Sequence, residues 1–139
     1  NFDGNYSGSR VRFSGLANNE MFLIAAECAA RNGDVDKSLT FLNTLLETRW
    51  QAGTFVPFEA PDAESALGLI LEERRKELIF RGIRWSDLRR LNRDPRFAKP
   101  IQRNIEGESI TLEANSSNYL LPIPPLEIQI SGIAQNPRQ

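Results

Sequence analysis

The sequence predicts a mainly α-helical fold, in which a helix hairpin and further helices are followed by a small β-hairpin in the C-terminal third. Helix caps and glycine stops bracket segments whose apolar residues recur three or four positions apart. A length of 139 residues suits one domain. We therefore expect a single region over residues 1–139, with an extended lead-in at 1–17 that holds a short strand at Arg10–Phe13, a helical part at 18–95, and a hairpin, loops and a short helix at 96–139.

The first helix is predicted over residues 20–31. Asn18 or Asn19 can cap its N-terminus through the side-chain carbonyl, and Asn32-Gly33 is a standard left-handed stop. Glu27 is the single charged residue between the two ends, so apolar side chains cover nearly the whole circumference. We expect this helix to be buried on most sides and to dock on more than its hairpin partner.

A second helix is predicted from its cap at Asp34 to about Trp50. It carries one apolar stripe at i, i+4, i+7 and i+11, formed by Val35, Leu39, Leu42 and Leu46. An Ala-rich helix, a short turn with a glycine and a Leu-rich helix are typical of a tetratricopeptide-like helix hairpin. One such hairpin cannot bury both of its faces alone.

A third helix is predicted from its cap at Asp62 to Arg81, with Gly82 as the residue that ends it. Arg74 falls where the apolar stripe of this helix would continue. Its long side chain is expected to lie along the edge of the core or to pair with a buried carboxylate. A short fourth helix is predicted over Trp85–Leu91.

The last third of the chain holds the predicted strands. Ile101–Ile105 and Ile110–Leu112 form a hairpin around a turn at Glu106-Gly107-Glu108. Tyr119–Ile123 is predicted to be extended. Pro124-Pro125 suits the first turn of a short helix, because the backbone N–H groups there have no helical partner.

Composition excludes several classes of function. Without a histidine, the chain cannot build a Ser-His-Asp triad, a Cys-His pair or an HExxH zinc site. Its single cysteine, Cys28, cannot form an internal disulfide or a thiolate zinc cage, and we expect it to be a small buried hydrophobe. We expect neither a metal site nor a cofactor, and no apolar run in the sequence is long enough to cross a bilayer.

Positive charge is concentrated in one segment. Residues 81–103 hold eight basic and two acidic side chains, a local net charge of +6 in a chain of formal net charge −1. Such a segment can bind phosphate, but Glu72, Glu73 and Glu77 precede it as ion-pair partners. No glycine-rich phosphate loop or RNA-binding aromatic motif accompanies it. We therefore expect intramolecular ion pairs and no nucleic acid partner.

Two linked motifs resemble the signature of the SusD/RagB family of outer-membrane nutrient-binding lipoproteins. The first is Glu73-Arg74-Arg75-x-Glu77-Leu78, and the second is Gly82-x-Arg84-Trp85-x-Asp87-Leu88-x-Arg90. The flanking order is similar too: the Ala-rich helix with Glu27 lies upstream, and Leu121-Pro122-Ile123-Pro124 with Gln135-Asn136-Pro137 follows near the C-terminus.

The resemblance, which spans residues 18–137, implies that the chain is the C-terminal part of such a protein. Family members are cell-surface proteins of the outer membrane, held by an N-terminal lipid anchor. Without catalysis, they capture oligosaccharides, or in some cases peptides, for a TonB-dependent transporter. This chain is much shorter, without the anchor region and most of the helical repeats. We expect helix 20–31 to pack on those repeats or to mediate self-association.

Candidate ligand-binding residues are aromatic, because an aromatic face can stack on a sugar ring while polar neighbours bind its hydroxyls. They are Trp50, Phe55 and Phe58 around the loop before the third helix, and Tyr119 beside Asn115 and Asn118. For each of them the alternative is a place in a small satellite core.

The signature residues are expected to be architectural rather than ligand-binding; they are Glu73, Arg74, Glu77, Arg84, Trp85, Asp87 and Arg90. A guanidinium–carboxylate bridge among Arg74, Arg84 and Asp87 would fix the short helix against the long one, with Trp85 filling the corner. The alternatives to glycan capture are a peptide-binding or purely protein-interaction module. A two-carboxylate glycosidase is the enzyme alternative, although Glu73 and Glu77 share a helix face with arginines, which favours ion pairing.

Overall fold

The computed structural model describes residues 15–138, and the strand predicted at Arg10–Phe13 lies outside them. The described chain divides into two units, residues 15–84 and 85–138. Together these residues hold five α-helices, one turn of 3-10 helix and one antiparallel pair of strands, which confirms the mainly α-helical class. Among the helices of this described part, none combines the length and the apolar character that a membrane span requires.

Three helices form the core of the first unit: α1 (Asn18–Arg31), α2 (Val35–Glu47) and α3 (Ala63–Glu77). Helix α1 packs against both α2 and α3. The largest fully buried side chains come from all three helices and are Leu23, Leu42, Leu67 and Ile70. Removing these side chains from water is the main force that holds the three helices together.

Helix α1 is covered on one side only in the described chain. Leu23 and Ala26 are fully buried, whereas Met21 and Ile24 are 55% and 42% exposed. Cys28 is exposed. The prediction of a buried Cys28 is therefore wrong, because at about 100° per residue it shares the open face with Met21 and Ile24. The prediction that this helix is buried on most sides is wrong for the same reason.

Side-chain caps define the starts of two helices in the first unit. Asp34 and Asp62 cap α2 and α3, and each accepts a hydrogen bond from the backbone N–H three residues further on, at 3.0 Å and 2.7 Å. Helix α1 instead starts after Ala17, which makes no side-chain cap. The prediction that Asn18 or Asn19 caps α1 is wrong, because both lie inside its first turn.

Helices α2 and α3 are shorter than predicted. Thr48 Oγ1 donates a hydrogen bond to the Leu45 carbonyl at 2.7 Å, and α2 ends there rather than at Trp50. Helix α3 stops early because Phe80 has a φ of 64°, so the backbone turns left-handed before it reaches the predicted stop at Gly82, whose φ is 76°.

Helix α4 (Arg84–Leu91) leads into the second unit, which contains strands β1 (Ile101–Ile105) and β2 (Glu108–Leu112) and helix α5 (Pro125–Ser131). The strands pair antiparallel around Glu106-Gly107. Both turn residues have positive φ, 52° and 88°. This is the geometry of a two-residue turn that matches the strand twist. The predicted hairpin is therefore present, but Glu108 pairs with Ile105 and begins β2, so it is not a turn residue as predicted.

Tyr119 does not begin an extended segment as predicted. It ends a 3-10 turn at Ser117–Tyr119, and the backbone becomes extended at the next residue. The turn forms because the Ser116 side chain caps it. Further along, the side chain of Gln135 accepts from the Ile123 N–H at 2.9 Å and donates to the Ile123 carbonyl at 3.0 Å, which fastens the C-terminal segment.

Candidate functional site

The first candidate site is the aromatic loop, residues 50–58, between α2 and α3. The Trp50 and Phe55 rings lie with their centroids 6.1 Å apart and their planes at 57°. Asn43 on α2 holds the end of the loop, because its amide donates to the Phe58 carbonyl at 3.0 Å and accepts from the Phe58 N–H at 2.9 Å. Phe55 and Phe58 are half-buried, but Trp50 is 54% exposed. The loop therefore presents one open aromatic face.

Glu77 of the signature connects three segments of the first unit. Its carboxylate accepts from Asn19 Nδ2 on α1 at 2.8 Å and from Arg49 Nη2, just after α2, at 2.6 Å. Burial raises the pKa of Glu77, but the hydrogen bonds from Arg49 and Asn19 outweigh it and hold the pKa below its ordinary value. The same contact raises the pKa of Arg49. Glu77 thus stays ionised and joins the helices, whereas a general acid needs a raised pKa.

Replacing Glu77 by Gln should destabilise the protein at neutral pH and much less in acid. A carboxyl whose pKa is lowered by folding stabilises the fold above its unfolded-state pKa of about 4.3, and this stabilisation is lost as the pH falls through the lower pKa of the folded state. Because the Arg49 side chain is 45% exposed, we expect a cost of only about 1 kcal/mol at pH 7.

Urea unfolding between pH 7 and pH 3 measures the difference in the free energy of unfolding between the wild type and Glu77→Gln. This difference should become smaller below about pH 4. Glu72→Gln is the matched control, because the Glu72 side chain is 64% exposed beside Lys76 and its loss should matter little at any pH. A cost of Glu77→Gln that does not change with pH would contradict the assignment.

The carboxylates that precede the basic segment are paired elsewhere. Lys76 Nζ lies 2.6 Å from Glu73 Oε1 and 3.0 Å from Glu72 Oε1, and these contacts raise the pKa of Lys76. Glu77 is bound as described above. The expectation that these three carboxylates neutralise residues 81–103 is wrong. Lys76 on the same helix pairs with Glu72 and Glu73, and Arg49 after α2 pairs with Glu77.

Three other charged residues of the signature, Arg74, Asp87 and Arg90, each have a partner within their own unit. Arg74 is 7% exposed, and its Nη2 lies 3.4 Å from Oε1 of Glu20 on α1. Arg90 Nε lies 2.9 Å from Asp87 Oδ1. Arg84 is the first residue of α4. The bridge between the long and the short helix stays a prediction.

Trp85 lies against Tyr119 in the second unit. The ring centroids are 4.7 Å apart, the planes are at 30°, and Trp85 Nε1 donates to the Tyr119 carbonyl at 3.1 Å. Trp85 is 39% exposed and Tyr119 is 4% exposed. The contact gives the indole N–H its partner and holds the 3-10 turn beside α4.

A groove of about 410 Å³ lies next to Tyr119 in the second unit. It runs between the C-terminal end of α4 and residues 115–120, and Asn115 Nδ2 ties the two sides together by donating to the Asn92 carbonyl at 2.8 Å. The polar residues at its walls include Ser86, Arg89, Arg90, Arg93, Asn115 and Ser116. This volume is within the range of small-molecule sites. We call it the arginine groove.

The structure groups the predicted ligand-binding residues into these two places. Trp50 and Phe55 are together on the aromatic loop, and Tyr119 lines the arginine groove. Sequence reasoning missed Arg89 and Arg93 as site residues. The local net charge of residues 81–103 is the signal in the sequence that points to them, although the preceding glutamates make ion pairing the expected role of this charge.

A helix hairpin with a third helix packed on it places the chain in the class of mainly α-helical proteins, and the exposed tryptophan loop and the open polar groove are its candidate binding surfaces. The model of the SusD family matches residues 18–138. The chain therefore belongs to the SusD family, and the resemblance seen in its signature motifs is confirmed. No curated protein matches it.

Among solved structures, the chain is similar to a SusD-like protein from Bacteroides fragilis NCTC 9343, with 27% sequence identity and a TM-score of 0.57. The match covers 85% of this chain and 24% of that protein. The chain thus spans about a quarter of the length of that SusD-like protein. Proteins of the SusD family are in general non-catalytic nutrient-binding proteins of the outer-membrane surface that work with outer-membrane transporters.

Proposed function

We propose that this chain is the C-terminal region of a non-catalytic, cell-surface nutrient-binding protein that captures glycans for a TonB-dependent transporter. Family membership over residues 18–138 supports the general role. The observation that supports a glycan ligand is the Trp50 ring, which is 54% exposed and lies 6.1 Å, centroid to centroid, from the Phe55 ring on the same loop. A ring that already packs against a second ring on one side can stack on a sugar with its open side at a small ordering cost.

Binding without catalysis is the better reading of the glutamates on α3. Glu73 is bound by Lys76, and the pKa of Glu77 is lowered. A glycosidase needs one carboxyl that stays protonated near neutral pH and a second that acts on the sugar. The environment of Glu77 disfavours its protonated form, and Glu73 is held in an ion pair with Lys76, so the contacts of these two carboxylates do not support the two-carboxylate alternative.

The open face of α1 supports the proposed interaction with further protein. Met21 and Ile24 are 55% and 42% exposed on the side away from α2 and α3. A helix hairpin of the tetratricopeptide type stacks on neighbouring hairpins through such a face. We propose that this face packs either on further tetratricopeptide-type helical repeats, as SusD family members have, or on a second copy of the chain. A lipid anchor and an outer-membrane location belong to the same proposal.

Removing the Trp50 ring should weaken glycan binding. One stacking contact of this kind is worth about 1.4 kcal/mol, so Trp50→Ala should raise the Kd for a bound neutral oligosaccharide about tenfold. Isothermal titration with maltohexaose, xylohexaose and chitohexaose identifies which of these binds, and the variant is then titrated with that one. At the same glycan concentration, the melting temperature should rise less for the variant than for the wild type.

Val56→Ala is the matched control, because Val56 is 76% exposed on the same loop and has no ring. It should keep the wild-type affinity. Equal binding by Trp50→Ala and wild type would remove the aromatic loop from the site. Binding of a peptide panel in the absence of any saccharide binding would favour the peptide alternative instead.

A further inference from the structure

We propose that the arginine groove binds the acidic group of a charged saccharide, either a carboxylate or a sulfate. This inference rests on the proposed function and names the chemical class of its ligand. The aromatic loop and the arginine groove are separate sites in separate units, so they can be tested independently.

Two arginines of the groove, Arg89 and Arg93, carry charge that no residue in the described part of the chain neutralises. Arg89 lies in the last turn of α4, Arg93 lies two residues beyond its end, and both are exposed. Neither guanidinium has a hydrogen bond or an ion pair with any of residues 15–138, whereas Arg90 is bound by Asp87. Both guanidinium groups line the same groove, so their like charges repel each other. An anion that contacts both guanidinium groups would relieve this repulsion with bidentate hydrogen bonds.

Buried polar groups that line the same groove also favour a ligand rich in hydrogen-bond acceptors. Asn92 and Tyr119 line the groove and are 3% and 4% exposed. Asn92 Nδ2, Ser117 Oγ and Tyr119 Oη are buried and have no hydrogen-bond partner within the described residues. Asn92 Oδ1 accepts a hydrogen bond from the Lys99 N–H at 3.4 Å. The amide hydrogens on Asn92 Nδ2 have no acceptor within the described residues. The Asn92 amide nitrogen can only donate, and the two hydroxyl groups can also donate to an acceptor in the groove.

The size and the walls of the groove favour a saccharide over a free inorganic ion. A volume of about 410 Å³ holds more than one sulfate. Ser86, Asn115 and Ser116 offer hydroxyl and amide groups that both donate and accept, as sugar hydroxyls do. None of the residues that line the groove is Asp or Glu, so no carboxylate repels an acidic sugar there.

The test compares two ligands of equal length, trigalacturonic acid and its neutral methyl ester, by isothermal titration at low and at physiological salt. The wild type should bind the acid about tenfold more tightly, and the preference should shrink as salt screens the charges. The double variant R89Q/R93Q should lose this preference. Arg75→Gln, which removes an exposed arginine from α3, should retain it.

Two further ligands complete the panel. One is a chondroitin disaccharide that carries a single sulfate group, and the other is inorganic sulfate. Tighter binding of either charged saccharide than of inorganic sulfate supports the proposal, and equal or tighter binding of inorganic sulfate overturns its saccharide part. Equal affinity for acid and ester, or an unchanged preference in R89Q/R93Q, overturns the groove itself. Neutral glycans that bind through Trp50 would then still uphold the proposed function, whereas a failure of every saccharide would remove both.

Discussion

Replacing Ile70 by Ala should destabilise the three-helix core by about 2–5 kcal/mol, because it removes a fully buried side chain and leaves a cavity. Ile70 lies on α3 and is 0% exposed, as are Leu23 on α1 and Leu42 on α2. A domain is typically stable by only about 5–15 kcal/mol. The loss of this one side chain should therefore bring the first unit close to its unfolding threshold.

Urea unfolding followed by Trp50 fluorescence, in a Trp85→Phe background, measures this cost in the first unit. Ile79→Ala is the matched control, since Ile79 follows the same helix but is 51% exposed. We expect Ile79→Ala to cost less than about 0.5 kcal/mol. Equal effects of the two substitutions would show that the core of the first unit does not lie between the three helices.

The helices could be predicted from the sequence because their ends are set by local chemistry. Asp34 and Asp62 cap the helices that follow them, and Gly33 has the positive φ of 83° that a left-handed stop requires. The ends of α2 and α3 were placed too late, because side-chain periodicity does not reveal a bulky residue such as Phe80 in a left-handed conformation.

Burial depends on which elements meet, and this the sequence does not state. Cys28 sits in an apolar run and was predicted to be buried, but α2 and α3 both pack on the opposite side of α1. Glu27 illustrates the converse: it is charged yet 7% exposed, because the Arg31 guanidinium lies 2.9 Å from its carboxylate. Hydrophobicity alone would therefore predict that Cys28 is more buried than Glu27, and the structure shows the reverse.

The sites could be predicted only in part, for the same reason. The exposed Trp50 and the groove residue Tyr119 were named from their residue type. Arg89 and Arg93 were not, because local charge counts do not say which carboxylates are already occupied. The contact of Glu77 with Arg49 decides that question, and it joins residues 28 positions apart in the sequence.

Replacing Trp85 by Ala should destabilise the second unit by about 2–3 kcal/mol. A fully buried tryptophan costs about 3–5 kcal/mol when it is truncated, and Trp85 is 39% exposed, so part of that loss does not apply. The variant loses the stack on Tyr119 at 4.7 Å and leaves the Tyr119 carbonyl without its donor at 3.1 Å. Hydrogen exchange should speed up in residues 85–120, and the melting temperature should fall.

Trp85→Phe separates the two contributions, because it keeps an aromatic ring against Tyr119 and removes only the indole N–H. It should cost about 1 kcal/mol, the net worth of one hydrogen bond. Since Tyr119 lines the arginine groove, Trp85→Ala should also weaken binding of trigalacturonic acid, while Trp85→Phe should largely preserve it. An unchanged melting temperature in Trp85→Ala would refute the structural role of this ring, and a large loss in Trp85→Phe would place that role in the hydrogen bond instead of the stack.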